Sequence, residues 1–136
     1  GEDKGYTDKF IEGTFHHEFS SILLKRHTRH FDRKAWRAAN PPEFSYGKGG
    51  IEALKTENTS LELDSNLFAS GFLNRYSLAS VEEDINCYTE YLFVGDEDFW
   101  RAWEKSEAIK KKTAIIIDFF HQLDQHYSLE YFQNLQ

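Results

Sequence analysis

Val81-Glu82-Glu83-Asp84-Ile85-Asn86-Cys87-Tyr88-Thr89-Glu90-Tyr91-Leu92-Phe93 decides the fold class. Val81, Ile85, Tyr88 and Leu92 recur at three- and four-residue steps, which is one face of an α-helix. Ser80 precedes the run and Glu83 follows it by three, the pattern of a capping box. Gly95-Asp96 then ends this helix and caps another. Downstream, Asp98–Lys105 reads as helical with Phe99, Trp100 and Trp103. Glu107–His126 reads as a long helix carrying Ile109, Ala114, Ile116, Ile117, Phe120 and Leu123. A last short helix is expected over Ser128–Leu135.

Upstream the same period holds. Thr14 to about His27 reads as a helix with Phe15, Phe19, Ile22, Leu23 and Arg26 on one stripe and Thr14 as N-cap. Asp32 caps a short helix to Ala39, which Asn40-Pro41-Pro42 stops. Glu43–Asn58 reads mostly as loop around Tyr46-Gly47-Lys48-Gly49-Gly50. Ser65–Tyr76 fits either a loop or a short helix running into Gly71. Strand alternation is not evident. The expectation is one mainly α domain over residues 1–136, with residues 1–9 loose.

Composition narrows the function. The chain has 16 Lys+Arg against 23 Asp+Glu, a net charge of −7. Phosphate backbones repel such a surface, so no nucleic-acid partner is expected. The local exception, Lys25 to His30, reads as a solvated helix end where cations suit the dipole. The best apolar run, Ala114 to Ile117, is far short of the ~18 residues of a membrane span. The single Cys87 excludes an internal disulfide and a multi-cysteine zinc site; it reads as a small helix-packing residue. Lys110-Lys111-Lys112 reads as a solvated face, His121 and His126 as surface residues, and Trp100 and Trp103 as core.

Chemistry enters with Phe15-His16-His17-Glu18-Phe19-Ser20-Ser21-Ile22-Leu23-Leu24. His17-Glu18 opens an HExxH pattern. In that pattern two histidines one helical turn apart grip a zinc ion, and the glutamate takes a proton from the metal-bound water. Ser21 stands at the second histidine position. Farther on, Gly71-Phe72-Leu73-Asn74-Arg75-Tyr76 leads into Ser77-Leu78-Ala79-Ser80-Val81-Glu82-Glu83-Asp84. Together these segments resemble the zinc-binding metallopeptidase-like lipoproteins of bacteria, which lie beside outer-membrane nutrient-import genes. That family has an HHEFxHIL-like helix followed by a tract of the type G-F-x-x-x-Y-A-x-S-x-x-x-E-D. Lethal-factor-like toxin peptidases also place a Tyr seven residues before a ligand Glu, as Tyr76 stands to Glu83. Trp36-Arg37-Ala38-Ala39-Asn40-Pro41 and Phe44-Ser45-Tyr46-Gly47 are similar to the same lipoproteins, so the resemblance covers roughly Phe10 to Phe93.

The resemblance implies the helical part of a zincin-like fold, without the β-sheet that zincins usually present first. It implies His17 and Glu83 as zinc ligands, Glu18 as general base and Tyr76 as a hydrogen-bond donor to the oxyanion. It also implies an exported, periplasmic or outer-membrane-surface lipoprotein, held to the membrane only by a lipid anchor outside this sequence. Its partner would be a peptide or protein substrate, or an outer-membrane import complex. Ser21 and Asn86-Cys87 depart from the pattern, which has His and Ala-Glu there. The expected function is therefore a zinc metallohydrolase-like domain or a non-catalytic accessory module built on it. His27, ten residues after His17, has the spacing of a metzincin third ligand, but Leu24 occupies the position of the Gly that pattern needs. Each residue also has a plainer reading. Glu83 completes the capping box, Glu18 sits in a first helical turn, and Tyr76 is an aromatic at the core edge.

Overall fold

The structure, a computed structural model, describes residues 22–47 and 62–135. His17, Glu18 and Ser21 lie outside the described residues, as do residues 48–58 of the expected loop. Residues 22–26 are helical and lead into a 3₁₀ turn over Thr28–His30. Then come α1 (Arg33–Ala38), 3₁₀ turns over Ser65–Ser70 and Tyr76–Leu78, α2 (Val81–Val94), α3 (Glu97–Lys105), α4 (Glu107–Leu123) and α5 (Leu129–Gln133). Among the described residues the structure is mainly helical and has no strand.

Side-chain caps set the helix starts. The Asp32 side chain accepts from Ala35 N, Ser80 from Glu83 N, Asp96 from Phe99 N, Ser106 from Ile109 N and Ser128 from Tyr131 N. Gly95 closes α2 in the left-handed region at φ 73°, which an L side chain resists. Asp96 then caps α3 one residue later. The expected helix to His126 stops instead at Leu123. Asp124 is extended, at φ −156°. Its carboxylate accepts from His126 N at 2.9 Å, a local turn that competes with the helix.

Helix α4 is the central element. It packs against α1, α2, α3 and the Ser65–Ser70 turn. Ile109, Ile116, Phe119 and Phe120 on α4 meet Ile85, Tyr88 and Leu92 of α2 and Phe99 and Trp100 of α3 in one core cluster. Each such side chain contributes about 1.5–3 kcal/mol on burial. Aromatic edges join the layers: Trp36–Tyr88 at 5.2 Å, Phe31–Phe119 at 5.7 Å and Phe93–Phe132 at 5.0 Å between ring centroids. Trp100 and Cys87 are buried and Trp103 packs on the core edge, as the spacing requires.

Two sequence readings are corrected here. Ile22, placed on the helical stripe with Leu23 and Arg26, is 50% exposed, and Leu24, off that stripe, is buried in the core. Lys112, read as part of a solvated face, is fully buried. It follows Ile109 by three residues and precedes Ile116 by four, so helical geometry carries it inward with them. A buried carboxylate makes that placement tolerable.

Candidate functional site

The tract from Gly71 to Asp84 is built as a rigid corner over α2. Gly71 has φ 89°, and its carbonyl accepts from Tyr88 OH at 2.9 Å. Phe72 and Leu73 are buried behind it. Asn74, also buried, uses its side-chain oxygen to accept from Ser77 N at 2.9 Å, while its carbonyl accepts from Ser77 Oγ at 2.6 Å. These bonds force the Tyr76–Leu78 turn, which packs against α2. Gly47 N donates to Leu78 O at 3.1 Å, tying the Tyr46 loop to the same turn.

Tyr76 lies in that turn, partly buried against the core. Glu83 lies in the first turn of α2, half-buried, its N–H donating to Ser80 Oγ at 3.1 Å. Tyr76 and Glu83 thus lie on two packed elements, and Ser80 caps α2 as the sequence pattern expects. Glu82, Glu83 and Asp84 all occupy the positive end of the helix dipole. Glu82 faces out and pairs with Arg33 at 3.1 Å. Among the described residues no group of three His, Cys, Asp or Glu could hold a metal ion. His27 stands near His30, ring centroids 6.0 Å apart, and joins no such group.

Sequence reasoning missed the residue beside Glu83. Asp84 is fully buried and turns away from solvent into the core. Its Oδ2 accepts three bonds: from Lys112 Nζ at 2.7 Å, Tyr46 OH at 2.6 Å and Trp36 Nε1 at 3.0 Å. Asn40 Nδ2 donates to Tyr46 OH at 3.0 Å and completes the cluster. The Lys112 ammonium also sits 4.0 Å from the Phe72 ring centroid and 5.2 Å from that of Trp36, inside an aromatic box. Burial pushes the Asp84 carboxyl up from its ordinary range and the Lys112 ammonium down, and their mutual attraction opposes both shifts. Tyr46 is pushed well above its ordinary value, first by burial and then by the Asp84 charge. The signal was present in the sequence: Asp84 and Lys112 are the charged residues that fall among the apolar positions of α2 and α4.

This cluster joins α1, the Tyr46 loop, α2 and α4 at one point. Asp84, Lys112 and Trp36 are fully buried, while Asn40 and Tyr46 also line a surface cleft with Arg37, Pro41 and Phe44; the buried pair fixes the position of the α2 start and hence of Glu83. Cys87, one turn farther along α2, is buried beside Asn74, Sγ to Oδ1 3.6 Å. Burial pushes its thiol well above the ordinary range, so it is no nucleophile.

Compared with family models, curated proteins and solved structures, the chain finds no match.

Proposed function

We propose that this chain is the helical part of a zincin-like domain of an exported metallopeptidase-like lipoprotein, acting as a non-catalytic binding or accessory module of a nutrient-import assembly. The carrying observation is the corner described above. Glu83 and Tyr76, seven residues apart, sit on two elements locked together by Asn74, Ser80 and the buried Asp84 cluster. Under this reading Glu83 would be the ligand glutamate and Tyr76 the oxyanion donor, and the shared corner supports it by fixing the two elements against each other.

The donor set does not fit a catalytic zinc. Such a site uses three protein ligands and leaves one position for water. This chain offers His17 and Glu83, with Ser21, a poor ligand, at the place of the second histidine. Glu18 then has no activated water to deprotonate, so no hydrolytic step is assigned. What remains is a scaffold whose partner is a peptide or protein segment, or the import complex itself. The negative net charge argues against nucleic acid.

The test is zinc affinity by calorimetry and elemental analysis on the 136-residue chain, Ser21→His, and Ser21→His combined with Glu83→Ala. The native chain should hold zinc weakly. Ser21→His should tighten it about tenfold or more, within the range typical for changes around a metal site, and Glu83→Ala should abolish the gain. A Ser21→His variant with no added affinity, or with a gain indifferent to Glu83, would sink the zincin reading. Tight zinc in the native chain would sink the non-catalytic one.

A further inference from the structure

A second site lies on the opposite side of α4 from the Asp84 cluster. Lys110, Ala114, Ile117, Asp118 and His121 follow one another along one stripe of that helix. Trp103 of α3 walls the stripe on one side and Leu129, at the start of α5, on the other, enclosing a cleft of about 380 Å³. That volume lies in the range of small-molecule sites, which are apolar pockets with a few placed polar groups. The walls here are the Trp103 indole, Ala114, Ile117 and the exposed Leu129.

The polar groups are segregated. At one end Lys110 holds its ammonium 5.4 Å from the Trp103 ring centroid and 3.6 Å from Glu107 Oε1, so it is already engaged. At the other end stand Asp118 and His121. Gln122 Nε2 donates to Asp118 Oδ2 at 2.8 Å, which holds the carboxylate in place. His121 Nδ1 lies 2.9 Å from the Tyr127 carbonyl. A carbonyl only accepts, so Nδ1 carries a proton and donates to it, and Nε2 is the ring nitrogen left for a ligand. The cleft therefore ends in a carboxylate and an imidazole nitrogen. Lys110 is eight residues from Asp118 and eleven from His121, roughly 12 and 16 Å along the helix, beyond the ~8 Å reach of a screened charge at physiological salt.

We infer that this cleft binds a small molecule with a flat apolar body and an amine or other hydrogen-bond donor at one end, the ring against Trp103 and Ile117 and the donor at Asp118 and His121. The inference does not depend on the zinc reading, since none of these residues belongs to the corner around Glu83.

Tryptamine, indole and indole-3-acetate serve as probes, titrated into the 136-residue chain by calorimetry and heteronuclear NMR. Tryptamine should bind with a Kd on the order of 0.1–1 mM, as suits its size. Its shifts should map to α4, Trp103 and Leu129. Indole-3-acetate should bind about tenfold more weakly, because its carboxylate meets Asp118. Ala114→Trp, at an exposed position, fills the cleft and should weaken all three ligands about tenfold or more. Asp118→Asn with His121→Ala, both exposed, should cost tryptamine affinity and leave indole unchanged. Three results would each overturn the inference: no saturable tryptamine binding at millimolar concentration, equal binding of the acid and the amine, or indifference to Ala114→Trp.

Discussion

Lys112→Met tests whether the buried pair holds the corner together. Lys112 and Asp84 are both fully buried, with Nζ 2.7 Å from Oδ2. At an effective dielectric near 20, two unit charges at that separation attract by about 6 kcal/mol. Desolvation costs several kcal/mol per ion, so the pair as a whole contributes little net stability. Removing one partner is different. Methionine fills the volume of the lysine stem and leaves the Asp84 carboxylate with only the Tyr46 and Trp36 donors. Breaking such a pair costs about 3–5 kcal/mol, a large share of the ~5–15 kcal/mol that a domain has. With about 3–4 °C lost per kcal/mol at this length, Tm should fall by roughly 10–20 °C. The assay is urea unfolding followed by circular dichroism, with Asp84→Leu and the Asp84→Leu/Lys112→Met double variant closing the cycle. Each single variant should be worse than the double, so the coupling should exceed the cost of either single, about 3–5 kcal/mol or more in favour of the pair. A Lys112→Met cost below about 1 kcal/mol, or a double variant as poor as the sum of the singles, would refute an ionic lock at this point.

Two further outcomes follow from the same geometry. Gly95→Ala should destabilise the domain by about 1–3 kcal/mol, because φ is 73° and the added Cβ would lie 2.7 Å from the Leu135 carbonyl oxygen. Gly47→Ala, with φ 94° but its nearest neighbour at 3.9 Å, should cost only about 1 kcal/mol; equal urea midpoints for the two variants would contradict the argument. Alkaline pH should unfold the chain early. Burial raises Tyr46, Tyr88 and Tyr91 above their ordinary value of 10.0. A group raised in the folded state gives stability that is complete below its unfolded value and is lost as pH climbs through the folded one. The urea midpoint should therefore hold to about pH 9.5 and fall above 10, less steeply in Tyr46→Phe; a flat midpoint to pH 11 would contradict this.

The helices were legible because their signals are local. Asp32, Ser80, Asp96 and Ser128 each cap the helix that their sequence position announces, and Gly95 ends α2 where expected. Asp124 misled, since a carboxylate that bonds its own backbone two residues on outweighs the apolar period running through Leu123. Lys112 misled for a different reason. Three lysines in a row look solvated, and only the stripe of Ile109 and Ile116 reveals that the third points inward. Its partner Asp84 lies 28 residues away, and no local rule connects the two. At the corner, the Tyr76 and Glu83 spacing was readable, and so was the Ser80 cap. The hydrogen bonds of Asn74 to Ser77 were not, because Asn in a turn offers many partners and only packing selects one.

Under the proposed reading, the Asp84 cluster accounts for how the domain would keep its fold without a complete metal site. Where zinc organises a fold, its binding energy is folding energy, and losing a ligand unfolds the chain. Here the start of α2 is held by protein groups alone: Lys112, Tyr46 and Trp36 on Asp84, Ser80 on Glu83, and Asn74 on the turn before them. Under the proposed reading, Ser21 in place of histidine removes affinity for the metal and leaves this corner standing. The surface it supports then remains available to a partner. The α4 cleft stands apart from that corner, on Trp103, Ile117 and Leu129, so a small ligand there and a protein partner at Glu83 would not compete for the same residues.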